Sequence, residues 1–301
     1  MNDITINKKH FSFPSSWREL STRQIIKIAP VLLGARDTLA IRRAVVLFFF
    51  APQLRRYWTR HPLVTRLMRR FPTMEKRYPL FTDAQKWDLL QSVDYLFRDV
   101  NGVAILRSFK HDDTTYYLPE DNFTKESIIA FAFADEYFNR FVETNDESFL
   151  NLLIACIARQ RGSKMFPALQ FVEGDIREHF STSRTIQRAK SFKTLDTRIR
   201  STILIYFLGS KKFIHKQYEI LFKQDRDEKK ETTIERNDVK QRMKTFGKKK
   251  IPAPNFNWLG VVYELSETGA FGDFDRVKHM FLHTCCYYLA KKRYEKEENS
   301  A

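Results

Sequence analysis

Glycine is scarce in this chain, with 9 glycines among 301 residues. Folds built from many tight turns, such as β-sandwiches and β-propellers, need glycine where the backbone takes a positive φ. The low glycine count therefore argues against these folds. It also leaves little material for a glycine-rich phosphate loop, and neither GxGxxG nor GxxxxGK[ST] occurs. We therefore expect no nucleotide hydrolysis through either kind of loop.

The amino-acid composition is typical of a folded, basic protein. Hydrophobic residues make up 43% of the chain and aromatic residues 14%, which is too apolar for a disordered chain. The formal net charge of +16 will attract polyanions, meaning nucleic acid, an anionic membrane face or an acidic protein. The alternative interpretation is that the charge only keeps a structural protein in solution.

Three cysteines, Cys156, Cys285 and Cys286, are too few for a disulfide framework, and two helical neighbours are badly placed to bond to each other. We therefore expect reduced thiols in a cytosolic setting. The N-terminal segment lacks the apolar stretch of a signal peptide, and the longest apolar runs are too short to span a bilayer. The sequence predicts a protein without a membrane partner.

Two short hairpins are predicted in the N-terminal half. ITI (4–6) and FSF (11–13) flank a polar NKKH, and VAILRSF and TTYYLP flank KHDD within 103–119. Between the hairpins, Ser21 and Gln24 have the spacing of a capping box, which predicts a helix beginning after Ser21.

From Phe123 onwards the apolar residues follow a helical period. Helices are predicted at 124–142 and 147–160, the second capped by Asn145 or Asp146. A long helix then begins at Ser181 or Ser183, and Gly209 is expected to stop it. Ser210 is placed to cap the helix that follows.

The C-terminal stretch NWLGVVYELSETGAFGDFDRVKHMFLHTCCYYL contains residues that resemble a reaction site. Asp273 is expected to cap a helix from Phe274 to about Tyr294, paired with the helix before it. On that helix His279 and His283 would stand four residues apart, but the glutamate of HExxH is missing. Packing is the stronger interpretation, so we expect no catalytic, metal-binding or cofactor-binding residues.

Together these patterns predict a mainly α protein with two small β-hairpins in the N-terminal half and a C-terminal antiparallel helical hairpin. Four parts are expected along the chain: an N-terminal α+β region at 1–122, a central helical region at 123–223, a charged linker at 224–256 and the helical hairpin at 257–301.

A basic, aromatic block at 55–78 is a candidate nucleic-acid site. Cations bind phosphates while flat rings stack on bases, as single-stranded nucleic acid requires. Its candidate residues are Arg55, Arg56, Tyr57, Trp58, Arg69 and Arg70. A second basic surface is expected from Arg184, Arg188, Lys190, Lys193, Arg198 and Arg200. The alternative is that these arginines lie along apolar helices, and it is favoured because no nucleic-acid motif accompanies the charge.

Three segments resemble tail-assembly chaperone-like helical proteins of tailed bacteriophages and prophages. They are FSFPSSWRELSTRQIIKIAPVLL, GDIREHFSTSRTIQRAK with FLGSKKFIHKQYEILF, and the C-terminal NWLGVVYELSETGAFGDFDRVKHMFLHTCCYYLAKK. The resemblance covers about half of the chain. It implies a non-enzymatic protein that holds the long tape-measure protein and helps tail components assemble, and it brings no catalytic residues.

The function expected from the sequence is therefore assembly or structure in a phage or prophage tail or virion. The partners would be other tail or virion proteins, with nucleic acid as the alternative partner. The location would be the cytoplasm of the bacterial host during assembly, or the virion itself. Aromatic helical faces supply the candidate protein-binding residues, for each of which a core role is the competing interpretation: Tyr137, Phe138, Phe141, Trp258, Val262 and Tyr263.

Overall fold

The computed structural model describes residues 2–6, 9–34, 39–42, 44–46, 48–49, 83–98, 102–162, 175–222 and 258–299. The chain divides into two compact units, Met1–Val100 and Asn101–Ala301. Helices make up most of the described structure, which confirms the predicted mainly α class. The predicted boundary after residue 122 falls inside the second unit, and the predicted linker at 224–256 lies outside the described residues.

The first unit begins with the predicted hairpin. Strands β1 (Asn2–Ile6) and β2 (Lys9–Phe13) pair antiparallel. Helix α1 (Thr22–Gly34) follows, and its start is the expected capping box, because the Ser21 amide donates to Gln24 Oε1 at 2.8 Å and the Gln24 amide donates to Ser21 Oγ at 3.3 Å.

Further helical backbone in the first unit lies at 39–42, 44–46 and 48–49. Helices α2 (Asp83–Gln91) and α3 (Tyr95–Arg98) follow. Leu89, Val93 and Leu96 lie buried along these two short helices and contribute to the apolar core of the unit.

The second hairpin forms part of the second unit. Strands β3 (Ser108–His111) and β4 (Thr114–Tyr117) pair antiparallel around a two-residue turn. The turn residues Asp112 and Asp113 have φ values of 46° and 58°, the left-handed backbone that a tight hairpin of this length needs. Aspartate tolerates this backbone better than most residues do, which explains the DD pair.

Two helices of the second unit pack side by side after the hairpin, α4 (Ile128–Thr144) and α5 (Glu147–Ile157). Ser127 caps α4 by accepting the Ala130 amide, and Asp146 caps α5 by accepting the Ser148 amide at 2.8 Å. Asn145 instead ends α4 in the left-handed conformation. Of the two predicted caps, Asp146 is therefore the right one.

The predicted long helix begins at one of its two expected positions, after Ser181, but it is interrupted and does not end at Gly209. It breaks into α6 (Thr182–Ser191) and α7 (Thr197–Gln217), because Asp196 caps a new helix by accepting the Arg198 amide at 2.8 Å. Helix α7 then continues through Gly209 and Ser210, both buried, and α8 (Glu219–Phe222) follows. The two small residues lie inside the unit, and the chain gains more from packing them than from ending the helix there.

The C-terminal part contains α9 (Trp258–Glu267), α10 (Phe274–Val277) and α11 (Leu282–Glu298). Asp273 caps α10 as predicted, but the helix expected to run from Phe274 to about Tyr294 is interrupted between α10 and α11. The interrupting turn bonds to the backbone before and at the start of α4. Ile128 N–H donates to Met280 O, and Leu282 N–H donates to Glu126 O, both at 2.9 Å. Hydrogen bonds to a distant segment replace the helical ones.

Aromatic side chains fill the core of the second unit. Phe123, Phe131 and Phe207 are fully buried and contact one another edge to face or stacked. The ring of Trp258 meets that of Phe131 at a centroid distance of 5.1 Å, which packs α9 onto α4. Edge-to-face contacts of this kind add to the free energy gained from burying the rings.

Candidate functional site

The interior of the second unit contains a group of charged side chains, here called the interior ion network. Its members are Glu126, Arg159, Asp175, Arg177, Glu178, Arg184 and Arg188. Glu126 is 0% exposed and lies between two guanidiniums. Arg159 Nη2 donates to its Oε1 at 2.5 Å, and Arg177 Nη1 donates to its Oε2 at 2.8 Å.

Three extended segments place these side chains next to one another. Arg159 exchanges two backbone hydrogen bonds with Tyr117 of β4, at 2.8 and 3.1 Å. On the other side, the Glu178 amide donates to Gln160 O and the Gly162 amide donates to Ile176 O, both at 2.9 Å. The segments 159–162 and 176–178 therefore extend the hairpin sideways, and their side chains meet Glu126 just before α4.

The second half of the network centres on Glu178. Its Oε2 accepts from Arg184 Nη1 at 2.9 Å and its Oε1 accepts from Arg188. Arg188 also donates to the Ala155 carbonyl at 2.9 Å, which ties α6 to the last turn of α5. Bonds from one guanidinium to a carboxylate and a backbone carbonyl fix the spacing of the two helices.

Charge pairing outweighs burial at Arg177 and Asp175, whereas burial and neighbouring arginines lower the pKa values of Arg159 and Arg188. Burial by itself would lower the pKa of Arg177, but Glu126 and Asp175 outweigh it and hold that pKa above its usual value. Burial raises the pKa of Asp175, whereas the hydrogen bond and charge of Arg177 lower it, and the net direction is down. A carboxylate held this way is a weak base, and arginine keeps its proton. The arrangement suits fixing the fold rather than moving protons.

The second basic surface predicted from the sequence is wrong for two of its six members. Arg188 is buried in the network, and Arg200 is buried against the carbonyls of Phe192 and Lys193 while its Nη1 donates to Glu147 Oε2 at 2.9 Å. Arg184 and Arg198 form ion pairs, with Glu178 and Asp196. Lys190 and Lys193 are exposed. The acidic partners of these two buried arginines are not close neighbours in the sequence, so no local pattern predicts the ion pairs.

The two C-terminal histidines do not form the pair that their spacing predicts. His279 lies in the turn before α11 and His283 lies within α11. The His279 ring meets His179 at a centroid distance of 4.9 Å, edge to face. His283 instead bonds through Nε2 to the Asn122 carbonyl at 2.8 Å and through Nδ1 to the Tyr218 hydroxyl at 3.0 Å. The interrupted helix removes the i, i+4 geometry.

The three cysteines are buried and reduced. Burial raises the pKa of Cys285 to about 12, and it raises the pKa values of Cys156 and Cys286 as well. A thiol that keeps its proton at neutral pH is a poor nucleophile and a poor metal ligand. In the part of the chain that the structure describes, no group of three or more His, Cys, Asp or Glu residues is placed to hold a metal ion.

The six candidate protein-binding residues separate by burial. Four belong to the core: Phe138, Phe141, Trp258 and Val262. Tyr137 is partly buried. Tyr263 is 57% exposed, and its ring stacks on that of Phe274 at a centroid distance of 4.8 Å. The four core residues pack the unit and are not available as surface anchors.

Two exposed tyrosines were missed by sequence reasoning. Tyr287 is 68% exposed and Tyr294 is 54% exposed. They stand seven residues apart on α11, so they share one face of that helix. Cys285, Cys286 and Ala290 lie on the buried face of the helix. The helical spacing of these small residues relative to the two tyrosines could have predicted from the sequence that the tyrosines are exposed.

The candidate nucleic-acid residues Arg55, Arg56, Tyr57, Trp58, Arg69 and Arg70 lie outside the described residues. Among the helices that the structure does describe, none is long and apolar enough to cross a membrane. No family model, curated protein or solved structure matches the chain.

Proposed function

We propose that the protein is a non-enzymatic binding protein that takes part in tail or virion assembly of a tailed bacteriophage or prophage. The observation that carries the proposal is the exposure of Tyr263, Tyr287 and Tyr294 on the C-terminal helices, whereas the other described large rings of the unit, apart from Phe213, are buried or partly buried. Tyrosine supplies a large contact area at low cost in side-chain entropy, and it is enriched where proteins bind one another.

The phage context of the proposal comes from the sequence resemblance, and the C-terminal segment of that resemblance is the one that contains the exposed tyrosines. The side chains there that looked reactive take part in internal contacts instead. His283 bonds to Asn122 and Tyr218, and burial raises the pKa of both neighbouring thiols. These contacts support a scaffold, because a general base or nucleophile needs an accessible lone pair.

Co-expression with the proteins encoded next to this one tests the proposal. We expect at least one neighbour to co-purify with the full chain, and the triple substitution Tyr263→Ser, Tyr287→Ser and Tyr294→Ser to reduce its recovery at least tenfold. Trp87→Ser is the matched control, because Trp87 is also an exposed ring, 62% accessible, but belongs to the first unit. If no neighbour co-purifies, or the triple variant retains its partner, the proposal fails.

Nucleic-acid binding is the second candidate function, and the net charge of +16 is the observation that favours it. The test is a titration with single-stranded DNA and RNA at several salt concentrations. Binding that weakens steeply with salt and is lost when Arg55, Arg56, Arg69 and Arg70 are changed to serine would favour this function. The absence of a mobility shift even at low salt would eliminate it.

A further inference from the structure

The turn between α10 and α11 caps the start of helix α4. The first amides of a helix have no partner inside it, so another group must accept them. Here Met280 O accepts the Ile128 amide at 2.9 Å and Lys278 O accepts the Ile129 amide at 3.4 Å. In return Leu282 N–H donates to Glu126 O at 2.9 Å. The C-terminal helix α11 is therefore joined to the core through this turn.

The turn also contains His279, whose ring contacts the ring of His179. The His279 ring packs edge to face on His179, and both imidazoles are partly buried. The Nδ1 atom of His279 is buried and has no hydrogen-bond partner among the residues that the structure describes. A neutral imidazole can leave Nδ1 without a proton, whereas a protonated imidazole must place an N–H there. The geometry therefore accepts neutral His279 and penalises its charged form.

The charged groups around the pair oppose protonation as well. Arg159 and Lys278 add positive charge near His279, and Arg159 also acts on His179. Asp275 and Asp175 act in the opposite sense, but Asp275 already pairs with Lys278 and Asp175 with Arg177. On the α4 side, Glu126 is held by two arginines. Burial first, and then these cations, lower the pKa of both imidazoles.

We propose that the His179–His279 contact is an acid-sensitive latch, in which protonation of the two imidazoles releases the 278–282 turn from the start of α4. In the open state the imidazoles are solvated and titrate near pH 6.5. Because the closed state binds protons more weakly, closure is complete above pH 6.5 and is lost as the pH falls below it. Between pH 7.5 and pH 5.0 each histidine can raise the open fraction by up to about 30-fold.

Hydrogen exchange of the full chain at pH 7.5 and pH 5.0, corrected for the intrinsic exchange rate at each pH, measures the opening. We expect peptides covering 126–131 and 278–286 to lose protection at pH 5.0, while a peptide of α5 keeps its protection. The substitution His279→Asn keeps a polar group near the Nδ1 position and cannot titrate, so it should remove the share of the pH dependence that His279 contributes and leave that of His179. His215→Asn is the control, because the His215 ring stacks on Phe222.

Three outcomes would overturn the latch. Protection of 278–286 that does not change between the two pH values is the first, and loss of protection in α5 to the same extent is the second, since that is global acid unfolding. The third is a His279→Asn chain that keeps the wild-type pH response. If His279→Asn does not fold, His179→Asn is used instead. It must reduce the change in the open fraction between the two pH values by at least the share that one histidine contributes. This inference does not depend on the proposed binding function.

Discussion

Replacing Glu126 by glutamine tests whether the interior ion network stabilises the second unit. The substitution keeps the shape of the side chain but removes the negative charge between Arg159 and Arg177. The two arginines are 3% and 2% exposed, so neither guanidinium can exchange its lost partner for water. The side-chain NH2 group of glutamine would also face one guanidinium, so two hydrogen-bond donors would point at each other.

The expected loss of stability follows from the contacts that remain. Breaking a buried ion pair on one side costs about 3–5 kcal/mol because a charge stays buried without its partner. Arg177 keeps Asp175, to which its Nη2 donates at 2.6 Å, whereas among the described residues Arg159 keeps the Glu178 carbonyl at 3.0 Å and a distant Asp175 oxygen at 3.8 Å. We therefore expect the lower part of that range, about 3 kcal/mol.

Urea unfolding of the full chain, followed by circular dichroism, measures the loss, and hydrogen exchange in α4 assigns the transition to the second unit. Glu136→Gln is the matched control, because it makes the same change within α4, the helix that begins just after Glu126. Glu136 pairs with Arg140 at 2.7 Å, but both side chains are about half exposed. The control should cost about 0.5 kcal/mol or less. A loss below about 1 kcal/mol for Glu126→Gln would refute a stabilising network.

Four further substitutions test packing and capping. Gly102→Ala places a methyl group 2.8 Å from Ser210 Cα, so urea unfolding should show a loss of about 1–3 kcal/mol, and an unchanged midpoint would contradict the close approach. Asp146→Ala removes the α5 cap. A backbone hydrogen bond lowers the pKa of the Asp146 carboxyl. The Tm of the variant should therefore lie below that of the wild type above pH about 4, and the difference should vanish as the pH falls further. A deficit independent of pH would contradict the role of the carboxylate. Trp258→Ala should cost about 3–5 kcal/mol, whereas Tyr263→Ala should stay within about 0.5 kcal/mol, and equal losses would contradict their different burial.

Several local features could be predicted from the sequence because the groups involved are near neighbours along the chain. The Ser21–Gln24 capping box joins residues three apart, and the Asp112–Asp113 turn closes a two-residue loop. The Asp273 cap also bonds within three residues. Such contacts depend on a short stretch of backbone, so the residue types in that stretch are sufficient to predict them.

Predictions failed where a distant segment offered a competing contact. The interruption between α10 and α11 depends on carbonyls of Lys278 and Met280 meeting amides of α4, more than a hundred residues earlier. The extension of α7 through Gly209 depends on the burial of that turn inside the unit. In both cases the local propensity was read correctly, but tertiary contacts outweighed it.

By itself, the sequence determined the helical class, the two β-hairpins and the caps at Ser21, Asp146 and Asp273, because these arise from backbone conformation and hydrogen bonds between near neighbours. Only the tertiary structure decided which charged and aromatic side chains lie inside. Arg159 and Arg177 reach Glu126 across 33 and 51 positions, and Trp258 enters the core while Tyr263 on the same helix stays outside. Burial depends on which distant segments pack against one another. The free energy of a charged or aromatic side chain in turn depends on the groups that surround it.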